Sequence, residues 1–84
     1  MKPTIELFNG FDRQGKAVLI YDYGEFLLSR EYYAKKFNLY AMPGYYAEII
    51  YNPVDNTIEE IRALVSSSHE VNKYLPYINL EELG

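Results

Sequence analysis

The sequence contains no cysteine, no tryptophan and a single histidine. Without cysteine there are no disulfide bonds and no thiolate zinc sites, which are two of the usual stabilising features of a small domain. A domain of this size buries only about 60 to 65% of the surface of its unfolded chain and is therefore only marginally stable. Association with another protein chain is a further way to stabilise it. We therefore predict one domain over residues 1–84, with neither metal nor cofactor, that is stabilised by binding protein.

Long apolar runs are missing as well. The longest uncharged runs, such as residues 17–21 and 49–51, fall far short of the roughly 20 residues that span a bilayer. The N-terminal segment reaches Glu6 after one apolar residue and so lacks the apolar core of a signal peptide. A cysteine-free chain also suits a reducing compartment. We expect a cytoplasmic protein that does not engage a membrane.

Basic residues are scarce in the second half of the chain. The net charge is −4, and residues 43–84 carry two basic and seven acidic side chains. This balance disfavours binding to phosphate backbones, so we expect no nucleic acid partner. The negative charge leaves open that this chain is the acidic partner of a basic protein. The contact would then be made by five glutamates: Glu59, Glu60, Glu70, Glu81 and Glu82.

Tyrosine is the abundant aromatic residue, with ten copies. Its large apolar ring and its hydroxyl suit half-buried sheet faces and protein interfaces.

The first half of the chain predicts one hairpin and one helix. Alternation in residues 4–8, a turn at residues 12–15 and the apolar run at 17–21 predict a β-hairpin over residues 4–21. Apolar residues at helical spacing then predict a helix over Asp22 to Lys36. Asp22 and Ser29 can both serve as its N-cap, so the helix either begins early or occupies only Arg30 to Lys36.

A second hairpin is predicted where residues 38–42 and 45–51 flank Pro43-Gly44. This dipeptide favours a type II turn, which fits a two-residue hairpin poorly, so we expect a slightly longer loop or a bulge. Alternation places Tyr45, Ala47, Ile49 and Tyr51 on one face, which we predict to be the core face. The opposite face then carries Tyr46, Glu48 and Ile50.

Residues 57–65 fit two structures. A capping-box pattern from Thr57 to Glu60 favours a helix. Alternatively, the segment forms a third antiparallel strand that extends the hairpin into a meander. We favour the strand. Ser68 predicts the cap of a helix over residues 69–75, and the apolar tail beyond it is expected to dock on the sheet. The resulting fold class is α+β: an antiparallel sheet of four or five strands, built from two hairpins and an optional fifth strand, with two helices mainly on one face.

Catalytic patterns are weak in this sequence. His69 follows three serines, but adjacent residues at a helix start rarely converge as a serine–histidine pair. Glu59 and Glu60 would point to opposite faces of a strand, so they would not share a site. The sequence therefore favours a protein that is not an enzyme, without deciding the question.

Three functional hypotheses follow. The first is a non-catalytic protein-interaction module, self-associating as a homodimer through a tyrosine-rich sheet face that holds Tyr40, Tyr46 and Ile50. The second is a small-molecule binder or minor enzyme with a tyrosine-lined pocket between sheet and helices, polarised by Asp22, Glu25 or Arg30. The third is the acidic partner described above.

Overall fold

A computed structural model describes residues 2–65, which form two helices followed by a four-stranded antiparallel sheet. The sheet is a meander with the strand order β1-β2-β3-β4. This confirms the α+β fold class with four strands and two helices. Neither helix within residues 2–65 is long and apolar enough to cross a membrane. The bounds of the elements are α1 Ile5–Asn9, α2 Arg13–Tyr23, β1 Glu25–Tyr32, β2 Lys35–Met42, β3 Tyr45–Asn52 and β4 Thr57–Leu64.

The hairpin predicted over residues 4–21 is wrong, because two helices occupy this segment. The Thr4 hydroxyl accepts a hydrogen bond from the backbone N–H of Leu7, and Asp12 Oδ1 accepts one from the N–H of Gly15. Both are helix N-caps. A capping bond joins residues three positions apart, as the hydrogen bond of a β-turn does. The sequence from Asp12 to Gly15 therefore fits a turn and a helix N-cap equally well.

The helix predicted over Asp22 to Lys36 is also wrong. Helix α2 ends at Tyr23, and the chain continues as β1 and the start of β2. The two strands are joined by Tyr33 and Ala34, whose φ angles are 50° and 59°. Two consecutive left-handed residues are typical of the type I′ hairpin turn, which usually contains asparagine and glycine. Since neither residue is present, the sequence gives no turn signal here.

The hairpin around Pro43-Gly44 and the strand at residues 57–64 are both confirmed. Gly44 has a φ of +87°, which glycine adopts without steric cost. The expected longer loop is wrong, because Met42 pairs directly with Tyr45 across a two-residue connection. The predicted helix over residues 69–75 and the docking of the tail lie outside the described residues.

One face of the sheet, here called the helix face, packs against both helices. Phe8 of α1 and Ile20 of α2 are buried there against the predicted core residues Tyr45, Ala47 and Ile49. Tyr51 is half-buried beside them, so the predicted core face of β3 is confirmed.

The opposite face, here called the second face, carries its own apolar cluster. Leu39 and Leu64 are buried there, with Leu28, Phe37 and Tyr46 packed around them. Both faces of the sheet therefore carry buried side chains.

Candidate recognition surfaces

The predicted interaction residues Tyr40, Tyr46 and Ile50 do not share a face. The β2–β3 register pairs Tyr40 with Ala47, which places Tyr40 on the helix face, while Tyr46 and Ile50 lie on the second face. The expectation that Tyr40 joins the other two is therefore wrong. Ile50 is only 6% exposed and Tyr46 is half-buried. A role for Tyr46 and Ile50 in association stays a prediction.

The predicted pocket residues Asp22, Glu25 and Arg30 are spread over different parts of the fold. Asp22 is exposed near the end of α2, and Glu25 is exposed at the start of β1. Arg30 pairs with Phe37 in the β1–β2 ladder, and its guanidinium carbon lies 5.0 Å from the centre of the Tyr32 ring and 5.7 Å from that of Phe37. The structure does not bring the three side chains together.

A groove does lie between α2 and the sheet, where the sequence predicts a tyrosine-lined pocket. We call it the aromatic groove and define it by Tyr21, Phe26, Tyr40 and Tyr51. Its volume is about 380 Å³, and Ile20 and Ile58 are among the aliphatic residues that complete its walls. The rings of Phe26 and Tyr40 meet edge to face, with centres 5.6 Å apart.

The polar groups near this groove are phenol hydroxyls and one amide. Burial raises the pKa of Tyr51 above its usual value, and the neighbouring Tyr40 adds to the rise, while hydrogen bonding to Asn38 acts the other way. The Tyr51 hydroxyl is therefore neutral at pH 7. Asn38 Oδ1 is buried without a hydrogen-bond partner in the described part of the chain.

The outer edge of β1 is a second surface of interest. Within residues 2–65, β1 pairs only with β2, so its other side is the end of the sheet. Phe26 and Tyr32 on this strand are 54% and 52% exposed, and Ser29 is exposed between them. This edge strand is eight residues long and accessible along most of its length.

The other edge of the sheet is covered differently. Both helices contact β4. The Arg13 guanidinium of α2 donates hydrogen bonds to the carbonyl oxygens of Ile58 and Glu59, at 3.0 and 3.3 Å. Glu59 is also paired with Lys35, whose Nζ lies 3.0 Å from its carboxylate. The β4 edge is thus held by the Arg13 guanidinium and by contacts with both helices.

Sequence reasoning missed Tyr21, Phe26 and the β1 edge, because it placed residues 4–36 in the wrong elements. Two local signals in the sequence indicated the helix α2 that the structure has. Ala17 and Ile20 lie three residues apart on one side of α2, and Asp12 is a good N-cap residue.

Residues 2–65 thus define a small α+β fold with a meander sheet, an aromatic groove and one open edge strand. No family model matches the chain, and the comparisons with curated proteins and with solved structures found no match either.

Proposed function

We propose that the protein is an interaction module that self-associates through the outer edge of β1. The observation that carries this proposal is the difference between the two sheet edges. Arg13 and both helices engage β4. Within residues 2–65, no strand or helix flanks the outer side of β1 in this way.

An open edge strand favours pairing because it presents a row of unpaired backbone N–H and C=O groups. Natural proteins usually protect such edges with charges, proline or a covering element. The β1 edge carries charged side chains at Glu25, Arg30 and Glu31, and beside them the exposed rings of Phe26 and Tyr32. Aromatic residues are enriched at protein interfaces, where their rings contribute much of the binding energy.

A second copy of this chain fits the edge well. Two β1 strands pairing antiparallel about a two-fold axis would join two four-stranded sheets into one of eight strands. In one register Glu25 faces Arg30 of the second copy, and Phe26 faces Ser29. Glu25 and Arg30 both lie on the second face, while Phe26 and Ser29 both lie on the helix face, so this register joins like faces.

The other two hypotheses have unequal support. The aromatic groove favours a small-molecule ligand as a second function, because its volume and its tyrosine lining suit one. The acidic-partner hypothesis has less support, since Glu59 is already paired with Lys35 and the three glutamates beyond residue 65 lie outside the described residues.

Sedimentation velocity over a wide concentration range tests the proposal. The test variant is Phe26→Lys with Ser29→Lys, which places two positive charges on the exposed edge. The matched control is Val18→Lys with Val54→Lys, which adds the same charge at exposed positions on α2 and in the β3–β4 loop. We expect the wild type and the control to dimerise, and the edge variant to remain a folded monomer by circular dichroism.

Two results would contradict the proposal. One is a wild type that stays monomeric at every concentration, and the other is an edge variant that associates as strongly as the control. Amide hydrogen exchange supplies an independent check, since dimerisation should increase protection in β1. Protection that rises only in β4 would place the interface at the β4 edge and would contradict the proposal.

A further inference from the structure

Among residues 2–65, α2 covers only part of the helix face, and this leaves the aromatic groove open. The helix has eleven residues and ends at Tyr23, whereas each strand of the sheet has eight. At about 1.5 Å per helical residue and about 3.3 Å per strand residue, α2 is shorter than the strands. Ala17 contributes only a methyl group to the groove wall. A cleft about 380 Å³ in volume therefore remains between α2 and the sheet.

The aromatic lining of the groove suits a flat ligand. The rings of Tyr21 and Phe26 are 89% and 54% exposed, so both have free surface for stacking. Ile49 and Ile58 contribute aliphatic surface from the sheet. The volume lies in the lower part of the range of about 300 to 1,000 Å³ that is usual for ligand pockets.

The chemistry of the groove favours a neutral ligand. None of the described lining residues carries a charge. A charged molecule entering the groove would lose hydration without gaining a counter-ion there. The phenol hydroxyls of Tyr21, Tyr40 and Tyr51 are the polar side-chain groups of the described lining, and a phenol hydroxyl both donates and accepts a hydrogen bond.

We propose that the aromatic groove binds a neutral, planar aromatic molecule of about two fused rings, which stacks against Tyr21 and Phe26 and hydrogen-bonds to the hydroxyls of Tyr40 and Tyr51. This site is separate from backbone pairing at the β1 edge, although Phe26 contributes to both surfaces. Binding needs only one copy of the chain.

Titration with the neutral fluorophore 2-naphthol, a planar molecule of two fused rings, tests this site. We expect saturable binding of one molecule per chain, with amide chemical shift changes centred on Tyr21, Phe26, Tyr40 and Tyr51. The anionic analogue naphthalene-2-sulfonate has the same two fused rings, and we expect it to bind more weakly. Equal or tighter binding of the sulfonate would overturn the assignment of a neutral ligand.

Two substitutions on α2 distinguish the groove from general surface adsorption. Ala17→Phe fills the groove and should weaken binding of the fluorophore by about tenfold or more. Val18→Phe adds the same ring at a neighbouring exposed position and should leave binding unchanged. If both variants bind as the wild type does, or if the shift changes map to another surface, the site is refuted.

A further variant keeps the test valid if Ala17→Phe fails to fold. Tyr21→Ala removes a ring that is almost fully exposed, so the fold should survive. The loss of one stacking partner should weaken binding by about threefold to tenfold. Unchanged affinity in this folded variant would contradict the proposal. Unchanged dimerisation of Tyr21→Ala would show that the groove and the β1 edge act separately.

Discussion

Glu48 and Arg62 form an ion pair across β3 and β4. The Glu48 side chain is fully buried, and its Oε1 accepts a hydrogen bond from Arg62 Nε at 2.7 Å. The two residues are directly opposite in the strand register. A buried carboxylate is costly unless it is paired, so this contact constrains how β4 aligns with β3.

Removing only the cation should therefore be more harmful than removing both charges. We expect Arg62→Met to lower the free energy of unfolding by about 3 kcal/mol, because Glu48 then loses its charged hydrogen-bond donor in the β3–β4 ladder. The double variant Glu48→Leu with Arg62→Met should recover much of this loss. Urea unfolding of the wild type, both single variants and the double variant measures the coupling. Additive effects of the two substitutions would contradict the expectation.

The left-handed residues at the β1–β2 turn lead to a second prediction. Ala34 has a φ of 59°, a conformation that costs a residue with a side chain about 1 kcal/mol or more. We expect Ala34→Gly to stabilise the protein by about 0.5 to 1 kcal/mol, after allowing for the greater freedom of glycine in the unfolded chain. Thermal unfolding measures the change. Ala41→Gly, the same substitution within β2, is the control and should destabilise the protein.

This turn also shows which parts of the fold the sequence could predict. The β2–β3 hairpin was predictable because Pro43-Gly44 is a local turn signal and β3 alternates clearly. The β1–β2 turn was not, since Tyr33 and Ala34 are not turn residues and their conformation depends on pairing between the strands. Strand preference in general depends more on neighbours than on the residue itself.

The candidate site was predictable only in outline. A tyrosine-lined pocket between sheet and helices was the second hypothesis from the sequence, and the groove lies there. Its position depended on α2, which the sequence interpretation placed in a hairpin. Asp22, Glu25 and Arg30 were selected because they are charged, yet the described lining of the groove is uncharged.

Close packing at the end of α2 gives a third prediction. A Cβ atom added at Gly24 would lie 2.6 Å from the carbonyl oxygen of Ile20 and 3.1 Å from Met42 Sδ. Because the closest atom belongs to the backbone, the end of α2 would have to shift away from the sheet. We expect Gly24→Ala to destabilise the protein by about 1 to 3 kcal/mol.

Gly10 provides the matched control for this substitution. It caps α1 in a right-handed conformation, and a Cβ there would meet nothing closer than 3.4 Å. Gly10→Ala should therefore leave stability unchanged or raise it slightly. Equal destabilisation by the two substitutions in urea unfolding would contradict the packing argument.

The β3–β4 loop gives a prediction about pH. Asp55 Oδ1 accepts hydrogen bonds from the Thr57 hydroxyl at 2.7 Å and from the Thr57 backbone N–H at 3.1 Å. These bonds to Thr57, with the hydroxyl contributing most, lower the pKa of the Asp55 carboxyl below its usual 3.8. The ionised form is therefore favoured in the folded state. Its contribution to stability is fully present above the unfolded-state pKa of about 3.9 and is lost as the pH falls through the lower folded-state value.

We therefore expect Asp55→Asn to be less stable than the wild type at neutral pH, with a difference that shrinks once the pH falls below about 4. Urea midpoints measured across the acidic range test this. Thr57→Val removes the hydroxyl donor but keeps the backbone N–H, so it should abolish only part of the pH dependence. A stability difference between Asp55→Asn and the wild type that stays constant down to the lowest pH would show that the carboxylate does not act through these bonds. In that case the loop would depend on its other contacts, such as the hydrogen bond from the Val54 N–H to Asn52 Oδ1.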